Sequence, residues 1–391
     1  MINRVRIENY KALRDVTLDL TPIHLLIGPN DSGKTSILEA IQALCRSVDC
    51  ELSQAFVGAW QGRELVWQKE PDAAVTLAAS VGTLEYRLSC NFATKGRSVK
   101  IAAEEAASGE HRLAGQPGDV VSRVGRISPF GQPAKDQTEA ALAHQVYDAL
   151  SGVHYYRWNP RFLALPTAPD ASRRFRMDPS GFGLALCLDD ILGYDREQFT
   201  ALETRFHEIF PQIKSIKLIA EPAYRAPEDY AQQVPALQQA DGKGIHFEFA
   251  GGGPLVRAGQ ASDGVLLVLA YLTLLHLPQP PRVILVEEPE NGVHPRRLRD
   301  VLAILRRLVG EQSRSQVILT THSPYVVDLF QPEEVSLCQR QPDGSVSVHR
   351  LSESRAVHEQ LSVFELGEIW TAEGDEALAK SAAENAGGAG E

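Results

Sequence analysis

The residues best suited to chemistry lie between Gly28 and Ser36, in the segment GPNDSGKTS. The first eight match GxxxxGK[ST] at every fixed position, a pattern whose glycines let backbone N–H groups curl around phosphates. Lys34 supplies a positive charge for the β- and γ-phosphates, and the Thr35 hydroxyl can ligate Mg²⁺. The segment therefore predicts a nucleotide site. Its predicted binding residues are Gly28, Asn30, Asp31, Ser32, Gly33, Lys34, Thr35 and Ser36, with Thr35 also a metal ligand.

Two adjacent carboxylates, Glu287 and Glu288, form a second chemical feature. They follow the wholly apolar run Val283–Val286, which is typical of a strand buried on both faces, and Pro289 ends that strand. Sheets of α/β proteins bind ligands at the carboxyl ends of such strands. We assign Glu287 to Mg²⁺ and Glu288 to polarising the attacking water. The plainer alternative is a pair of solvated glutamates at the end of a strand.

A third feature, Thr320-Thr321-His322-Ser323-Pro324, follows another apolar strand. A neutral His322 at a strand end can hydrogen-bond a γ-phosphate oxygen and sense its presence. Taken alone, such a histidine is more often structural. Beside the first two features we interpret His322 as a catalytic sensor.

A fourth feature, Ser262-Asp263-Gly264, begins an apolar helix. Serine is a favourable N-cap, and the free N–H groups at a helix N-terminus attract phosphate. A capping role needs no ligand, so both interpretations stay open.

These features require an α/β framework of strands and helices. The apolar run Ile23–Ile27 predicts a buried strand before the first loop, and residues 34–46 have the periodicity of an amphipathic helix. After residue 262 the pattern predicts helix 262–276, strand 282–287, helix 295–308, strand 316–320, helix 324–330 and a hairpin of strands 334–339 and 345–350.

The middle of the chain, from about residue 50 to 255, follows a different pattern. Alternation in 74–79, 84–92 and 98–103 predicts antiparallel hairpins, and residues 139–150 and 199–209 predict helices. The many Gly, Pro and Ser residues of 105–136 predict a loop or poor order.

The composition of the whole chain argues against several classes of protein. The net charge of −11 argues against a surface that binds polyanions throughout, although a local basic stripe is compatible with it. No apolar run is long enough to span a bilayer, and no secretory signal is visible, so we expect a cytoplasmic protein. The cysteines, five in number and without CxxC spacing, are expected to be reduced core thiols.

Taken in their order along the chain, the four features resemble the ATP-binding-cassette (ABC) type of P-loop ATPase. More narrowly they are similar to its RecF/SMC-like branch and to the ATPase half of the OLD (overcoming lysogenization defect) proteins. The resemblance covers residues 1–48 and 255–340 well. The matching segments are Ile7–Lys11, the Walker A loop Gly28–Thr35, the signature-like Ser262–Gly264, the Walker B segment Ile284–Glu288 with Pro289–Pro295 after it, and the switch segment Thr320–Pro324.

The resemblance implies an α/β fold, a P-loop ABC-type ATPase core with a mixed β-sheet, flanking helices and an α+β insertion. It places the core at 1–48 and 255–350 and the inserted lobe at 49–254, followed by a C-terminal extension at 351–370. The tail at 371–391 is rich in Ala, Gly and Glu and has five acidic residues and one basic residue, a composition that predicts disorder. It also implies two chains closing head to tail around ATP, or a higher homo-oligomer. Ser262 and Gly264 would then touch the γ-phosphate bound by the other chain.

The chain departs from this pattern in several places. Glu287 stands where many relatives have aspartate, and the signature lacks the second glycine and the glutamine of transporters. Gln54, Gln61 and Gln68 are candidates for a Q-loop with nothing to choose between them. About 60 residues follow the helix after His322, too few for the Toprim nuclease domain of OLD proteins, so we expect the effector on a partner chain.

The leading hypothesis is therefore an ATPase that uses ATP and Mg²⁺, dimerises, and switches a separate effector, as in bacterial anti-phage defence. The first alternative is a RecF-like repair ATPase that binds DNA. Its basic candidates are Arg157, Arg161, Arg173, Arg174, Arg176, Arg296, Arg297 and Arg299. The second alternative is a nucleotide sensor with little turnover. A transporter subunit is disfavoured, and no membrane partner is expected.

Overall fold

The computed structural model describes residues 1–56, 59–70, 73–93, 98–225, 238–310 and 315–388. The chain divides into two compact units. The first unit comprises Met1–His154, Pro281–Leu285 and Arg314–Glu391, and the second comprises Tyr155–Pro280 and Val286–Ser313. Over the described ranges, no helix combines the length and apolar character needed to cross a membrane.

Strands and helices are numbered in chain order. The strands are β1 (Arg4–Tyr10), β2 (Leu13–Asp19), β3 (Ile23–Ile27), β4 (Val75–Val81), β5 (Leu84–Phe92), β6 (Val99–Ser108), β7 (His111–Ala114), β8 (Val153–Tyr156), β9 (Ile213–Arg225), β10 (Gln238–Phe249), β11 (Val256–Arg257), β12 (Val283–Glu287), β13 (Gln316–Thr320), β14 (Val335–Arg340) and β15 (Val346–Arg350). The helices are α1 (Lys34–Arg46), α2 (Leu52–Ala55), α3 (Arg123–Ile127), α4 (Gln137–Leu150), α5 (Pro160–Leu163), α6 (Leu184–Tyr194), α7 (Arg196–Ile209), α8 (Asp263–Leu275), α9 (Pro295–Leu308), α10 (Pro324–Val327), α11 (Arg355–Gln360) and α12 (Leu366–Gly388).

One sheet of the first unit is antiparallel, with the order β2-β1-β4-β5-β6-β7. Buried and exposed residues alternate along β5 from Leu84 to Leu88, because one face of the sheet covers the core and the other faces solvent. The hairpins predicted for this region are confirmed. Because β1 pairs with both β2 and β4, strands of the predicted core and of the predicted insertion share this sheet. The boundaries given above for core and insertion stay a prediction.

The second sheet has the order β15-β14-β3-β13-β12-β8. Of its last two strands, Val283–Leu285 and Val153–His154 fall in the first unit. β3 pairs in parallel with β13 and β14, whereas β14 and β15 are antiparallel. Every residue of β3 and β13 is buried, which explains their continuous apolar runs. A mixed sheet with flanking helices confirms the predicted α/β class.

The second unit contains the three-stranded sheet β11-β10-β9 and helices α5 to α9. Helix α8 is buried at every residue from Val265 to Leu274, so it is apolar all round and forms the centre of this unit. Helix α9 is amphipathic and packs against α8, burying residues such as Leu298 and Leu305. These two helices frame the segments that follow β12.

The expectation of a loop over 105–136 is wrong in part. β6 continues to Ser108, β7 follows, and α3 spans Arg123–Ile127. The physical reason is Glu104, a buried carboxylate that accepts hydrogen bonds from the backbone N–H of Arg123 (2.6 Å) and the phenol of Tyr86 (3.1 Å). Burial raises the pKa of Glu104 despite these bonds. Such a long-range anchor leaves no local sequence pattern.

The expectation of a disordered tail after Thr371 also needs correction, because α12 continues to Gly388 with a break at Gly374 (φ +77°). Leu378, Ala379 and Ala382 are buried, and α12 packs against β14, β15 and α11. Tertiary packing of an apolar stripe thus stabilises a helix that composition alone disfavours. Residues 389–391 of the predicted tail lie outside the described residues.

All five cysteines are free thiols, and four of them are buried, as predicted. Burial raises the pKa of the Cys338 thiol to about 12, which keeps it protonated. Cys338 therefore contributes packing, beside the loop described next.

Candidate functional site

The phosphate loop follows β3 and enters α1 within the first unit. Gly28 has φ +136°, and a Cβ there would lie 2.3 Å from the carbonyl oxygen of Cys338. Gly33 has φ +93°, and its Cβ would lie 2.7 Å from a methyl group of Val346. Both positions therefore require glycine for conformation and for space. Asp31 has φ +64° at the outer part of the loop.

Lys34 lies inside this loop and not on the surface. The residue is 6% exposed, and Nζ donates hydrogen bonds to the carbonyls of Gly28 (2.7 Å) and Pro29 (2.7 Å). Nζ also lies 3.4 Å from Oγ of the buried Ser32. The ammonium is thus held at the centre of the loop by backbone carbonyls.

These features fit the phosphates of a nucleotide. Helix α1 has 13 residues, and its N-cap, Gly33, has no side chain that could cap the N–H groups of the first turn, which leaves these groups to a ligand on the loop side. The glycine cradle, the helix N-terminus and the Lys34 ammonium all favour an anion. Thr35 is exposed and Ser36 is half-buried at the start of the helix, where a hydroxyl can reach a phosphate-bound metal.

One contact of the loop was missed by sequence reasoning. Arg340, at the end of β14, forms an ion pair with Asp31. The partners are 309 positions apart and their side chains are 44% and 83% exposed, so no local pattern marks the pair. Arg340 links the outer part of the loop to the neighbouring strand.

The switch segment also belongs to the first unit. Thr321 is fully buried, its N–H donates to the carbonyl of Leu26 (3.1 Å), and its Oγ1 accepts from the N–H of Ser323 (2.9 Å). The first bond joins the segment to β3, which leads into the phosphate loop, and the second orders the segment itself. His322 is exposed beyond this anchored threonine. The predicted helix 324–330 is shorter, ending at Val327.

In the second unit, Glu287 ends β12 and its side chain is 4% exposed. Its Oε2 lies 3.2 Å from Nε of Arg157, a second residue that sequence reasoning did not connect to the site. Within the described residues, Glu287 Oε1 is buried without a hydrogen-bond partner. A buried carboxylate oxygen in this state is suited to a cation, which is the role predicted for Glu287.

Arg157 is held in place by its own backbone. Its N–H donates to the carbonyl of Pro179 (2.9 Å), and the N–H of Asn159, two residues later, donates to the carbonyl of Ser180 (2.9 Å). Between them, the Trp158 ring packs against Tyr271 of α8 at 4.6 Å between centroids. The arginine therefore reaches Glu287 from a fixed segment of the second unit.

Glu288 adopts φ +48°, an uncommon conformation for a residue with a side chain. Its backbone carbonyl accepts from the N–H of Asn291 (3.0 Å), and its carboxylate accepts from the Asn291 side-chain amide. Residues with a strained backbone are found most often at functional positions. Here the unusual conformation turns Glu288 out of the line of β12. Asn291 fixes the direction of this carboxylate.

The signature-like segment contacts the loop after Glu288. A Cβ at Gly292 (φ +82°) would lie 3.3 Å from the Cβ of Asp263, and a Cβ at Gly264 would lie 3.6 Å from the carbonyl of Gly292. Ser262 occupies the N-cap of α8, as predicted, but its side chain makes no cap hydrogen bond. The serine and Asp263 are exposed, so capping alone does not account for Ser262.

The described chain offers no group of three or more His, Cys, Asp or Glu side chains that could hold a metal by themselves. Mg²⁺ bound here would therefore be held by one or two protein oxygens together with phosphate oxygens and water, which is its usual coordination. Thr35 in the first unit and Glu287 in the second each have the right chemistry for such a role.

The arginines considered for DNA contact have acidic partners at several positions. Arg173 pairs with Asp178 (2.8 Å) and Asp170 (3.6 Å), and Arg297 pairs with Asp300 (3.0 Å). With Arg157 paired to Glu287 (3.2 Å) and Arg174 near Asp190 (3.9 Å), four of these eight arginines have a carboxylate partner within the second unit. Arg161, Arg176, Arg296 and Arg299 are exposed.

Two protein-family descriptions match the chain. Residues 1–114 match "AAA ATPase domain", and residues 166–328 match "AAA domain, putative AbiEii toxin, Type IV TA system". With the geometry of the phosphate loop, these matches support a P-loop ATPase of the AAA/ABC kind.

Two individual proteins show which P-loop ATPases the chain is similar to. The chain is 23% identical to the OLD nuclease of Thermus scotoductus, over 94% of this chain and 68% of that protein. It is 32% identical to the DNA replication and repair protein RecF of Staphylococcus epidermidis, over 26% of this chain and 25% of that protein. The chain is accordingly similar to ABC-type ATPases of the RecF and OLD kind, as the sequence motifs predict.

Among solved structures, the chain is similar to an SmcHead bound to the C-winged helix domain of ScpA, with 15% identity and a TM-score of 0.48 over 89% of this chain and 96% of that one. An Smc head domain from Pyrococcus furiosus gives 12% identity and a TM-score of 0.47, over 92% and 99%. At these TM-scores the fold assignment rests on the strand order and the loop geometry given above.

Proposed function

We propose that this chain binds ATP with Mg²⁺ and hydrolyses it to ADP and phosphate. The phosphate loop carries the proposal, because Gly28 and Gly33 form a cradle that side chains would fill and Lys34 lies at its centre. Lys34 binds the β- and γ-phosphates, and Thr35 and Glu287 ligate the metal. Bound Mg²⁺ would supply the positive charge that offsets the developing charge on the phosphates.

The same proposal gives Glu288 the task of orienting and deprotonating the attacking water. The amide of Asn291 supports this role by holding the Glu288 carboxylate in one direction. His322, exposed after the anchored Thr321, donates a hydrogen bond to the γ-phosphate and so registers its loss. Each role follows from side-chain chemistry at the end of a buried strand.

We further propose that two chains close around ATP, with Ser262, Asp263 and Gly264 of one chain contacting the nucleotide held by the other. The N-terminus of the 13-residue helix α8 favours an anion, and Ser262 is exposed without capping that helix. ATP would then stabilise the closed pair, and hydrolysis would release it, which shifts the population between two states.

As a biological role we propose a switch that controls a partner effector in bacterial anti-phage defence. The similarity to an OLD nuclease, and to the family described as "AAA domain, putative AbiEii toxin, Type IV TA system", supports this direction. DNA is not proposed as an obligatory ligand, since Arg157, Arg173 and Arg297 are paired with carboxylates.

Size-exclusion chromatography with light scattering tests the closed pair. Glu288→Gln removes the base while keeping size and hydrogen bonding, so with ATP and Mg²⁺ it should elute at twice the monomer mass. Lys34→Ala is the matched control and should not change mass on addition of ATP. A Glu288→Gln variant whose mass does not respond to ATP would contradict the proposed dimer.

A further inference from the structure

An exposed apolar turn lies between α11 and α12. Residues 361–365 are all exposed, and three of them are large and apolar: Leu361 (41% exposed), Val363 (75%) and Phe364 (51%). Single exposed apolar residues are ordinary on a protein surface. Three within four positions form a patch of the kind that marks an interaction site.

The turn is held by backbone hydrogen bonds. The N–H of Leu361 donates to the carbonyl of Val357 (2.9 Å), and the N–H groups of Val363 and Phe364 both donate to the carbonyl of Gln360 (2.9 and 3.0 Å). These bonds fix the turn while its apolar side chains face outward. Burial within the first unit therefore does not explain the choice of residues.

The turn is also joined to the switch segment. Gly367, three residues after Phe364, packs so closely that a Cβ there would lie 2.3 Å from the carbonyl oxygen of Pro324. Its N–H donates to Asp328 (2.7 Å), just beyond α10. Tyr325, the second residue of α10, is 66% exposed and directly follows Pro324, so another large apolar side chain lies next to this contact in the segment that carries His322.

The surroundings of the turn are strongly acidic. Between residues 351 and 379 the chain has seven carboxylates and one arginine, Arg355. That arginine pairs with Glu359 (2.6 Å). Glu365 and Glu368 are exposed beside the apolar residues. An apolar centre with an acidic rim complements a partner that carries apolar side chains flanked by positive charge.

We propose that this surface, Tyr325 with Leu361, Val363 and Phe364, binds a segment of a partner protein whose apolar side chains are flanked by lysines or arginines. It deepens the proposed function by giving the chemistry of the effector's docking segment. Contact through Gly367 places the docked segment beside the switch segment, where a change at His322 would alter the surface. Binding itself requires no nucleotide.

The test uses a fluorescein-labelled helical peptide of about 18 leucines and lysines in amphipathic order, with a leucine/glutamate peptide of the same pattern as its negative probe. Fluorescence anisotropy should show binding of the basic peptide only. Val363→Ser with Phe364→Ser should weaken it about tenfold or more, whereas Val120→Ser with Phe130→Ser, at two exposed apolar residues elsewhere in the first unit, should not. Glu365→Gln with Glu368→Gln should weaken it and reduce its dependence on salt.

Equal binding of the basic peptide to wild type and to the Val363/Phe364 variant, or no binding to wild type, overturns the proposal. Sedimentation equilibrium without ATP tests whether a second copy of this chain occupies the surface instead. If wild type is an oligomer and the Val363/Phe364 variant is a monomer, the surface is assigned to a second copy of this chain. Lys34→Ala should bind the peptide normally. Failure of the docking proposal is therefore distinguishable from failure of the proposed ATPase.

Discussion

Replacing Arg157 by alanine removes the guanidinium that pairs with the carboxylate of Glu287. The Glu287 side chain is 4% exposed, and its Oε1 is already without a hydrogen-bond partner in the described part of the chain. The substitution removes the ion pair at Oε2 as well, so a buried negative charge is left without compensation. The protein without metal should lose stability for this reason.

Breaking a fully buried ion pair typically costs about 3–5 kcal/mol. The Arg157 side chain is 63% exposed, so solvent already screens half of this pair. We therefore expect a loss of about 1–2 kcal/mol, which corresponds to a fall of roughly 2–6 °C in melting temperature. A cation at Glu287 should restore the missing charge. Mg²⁺ with a non-hydrolysable ATP analogue should consequently stabilise Arg157→Ala more than wild type, with an apparent Mg²⁺ affinity about 5–30 times higher.

Differential scanning fluorimetry over a Mg²⁺ titration at fixed analogue concentration measures both effects. Arg157→Lys is the conservative control and should lie between alanine and wild type. Arg161→Ala removes an exposed arginine from the next turn and should leave both the melting temperature and the Mg²⁺ midpoint unchanged.

A weaker Mg²⁺ response in Arg157→Ala than in wild type would refute this reasoning. It would mean that Arg157 helps to bind the nucleotide and does not act by occupying Glu287. An unchanged melting temperature without metal would likewise show that the ion pair contributes nothing.

Two further predictions concern the first unit. Gly28→Ala should cost about 2–4 kcal/mol, because its Cβ would lie 2.3 Å from the Cys338 carbonyl, and thermal denaturation should separate it from Gly82→Ala, where φ is also positive but the space is open. Burial lowers the pKa of His24 to about 3, so the folded state resists its protonation; the stability it contributes is complete above pH ~6.5 and declines toward pH ~3, by up to about 1.4 kcal/mol per pH unit. His24→Asn should flatten that dependence in urea denaturation measured from pH 4 to 7, and an equally steep decline would contradict the assignment.

The elements around the phosphate loop could be predicted because their signals are local. The run Ile23–Ile27 and the strand Gln316–Thr320 are apolar throughout because both faces of the sheet are covered. The glycines of the loop are required by backbone conformation, which the motif encodes directly. These parts of the sequence and structure agree almost to the residue.

The remaining features depend on residues far apart in the sequence. Glu104 orders the segment before α3 through hydrogen bonds to Arg123 and Tyr86, and α12 is helical because Leu378 and Ala382 are buried. Arg157 shows the same limit at the site, since its run of arginines indicates a basic surface and not a partner for Glu287. Single-sequence patterns record local periodicity and carry no information on such pairs.

Turnover and retention of ATP in Glu288→Gln, compared with wild type, test the central claim most directly. The account predicts that both proteins bind ATP with Mg²⁺, and that phosphate release by the variant falls by about 100-fold or more, since general-base catalysis contributes on that scale. The variant should retain ATP through gel filtration while wild type yields ADP. Equal rates of phosphate release by the two proteins, or no ATP binding by wild type, would contradict the account.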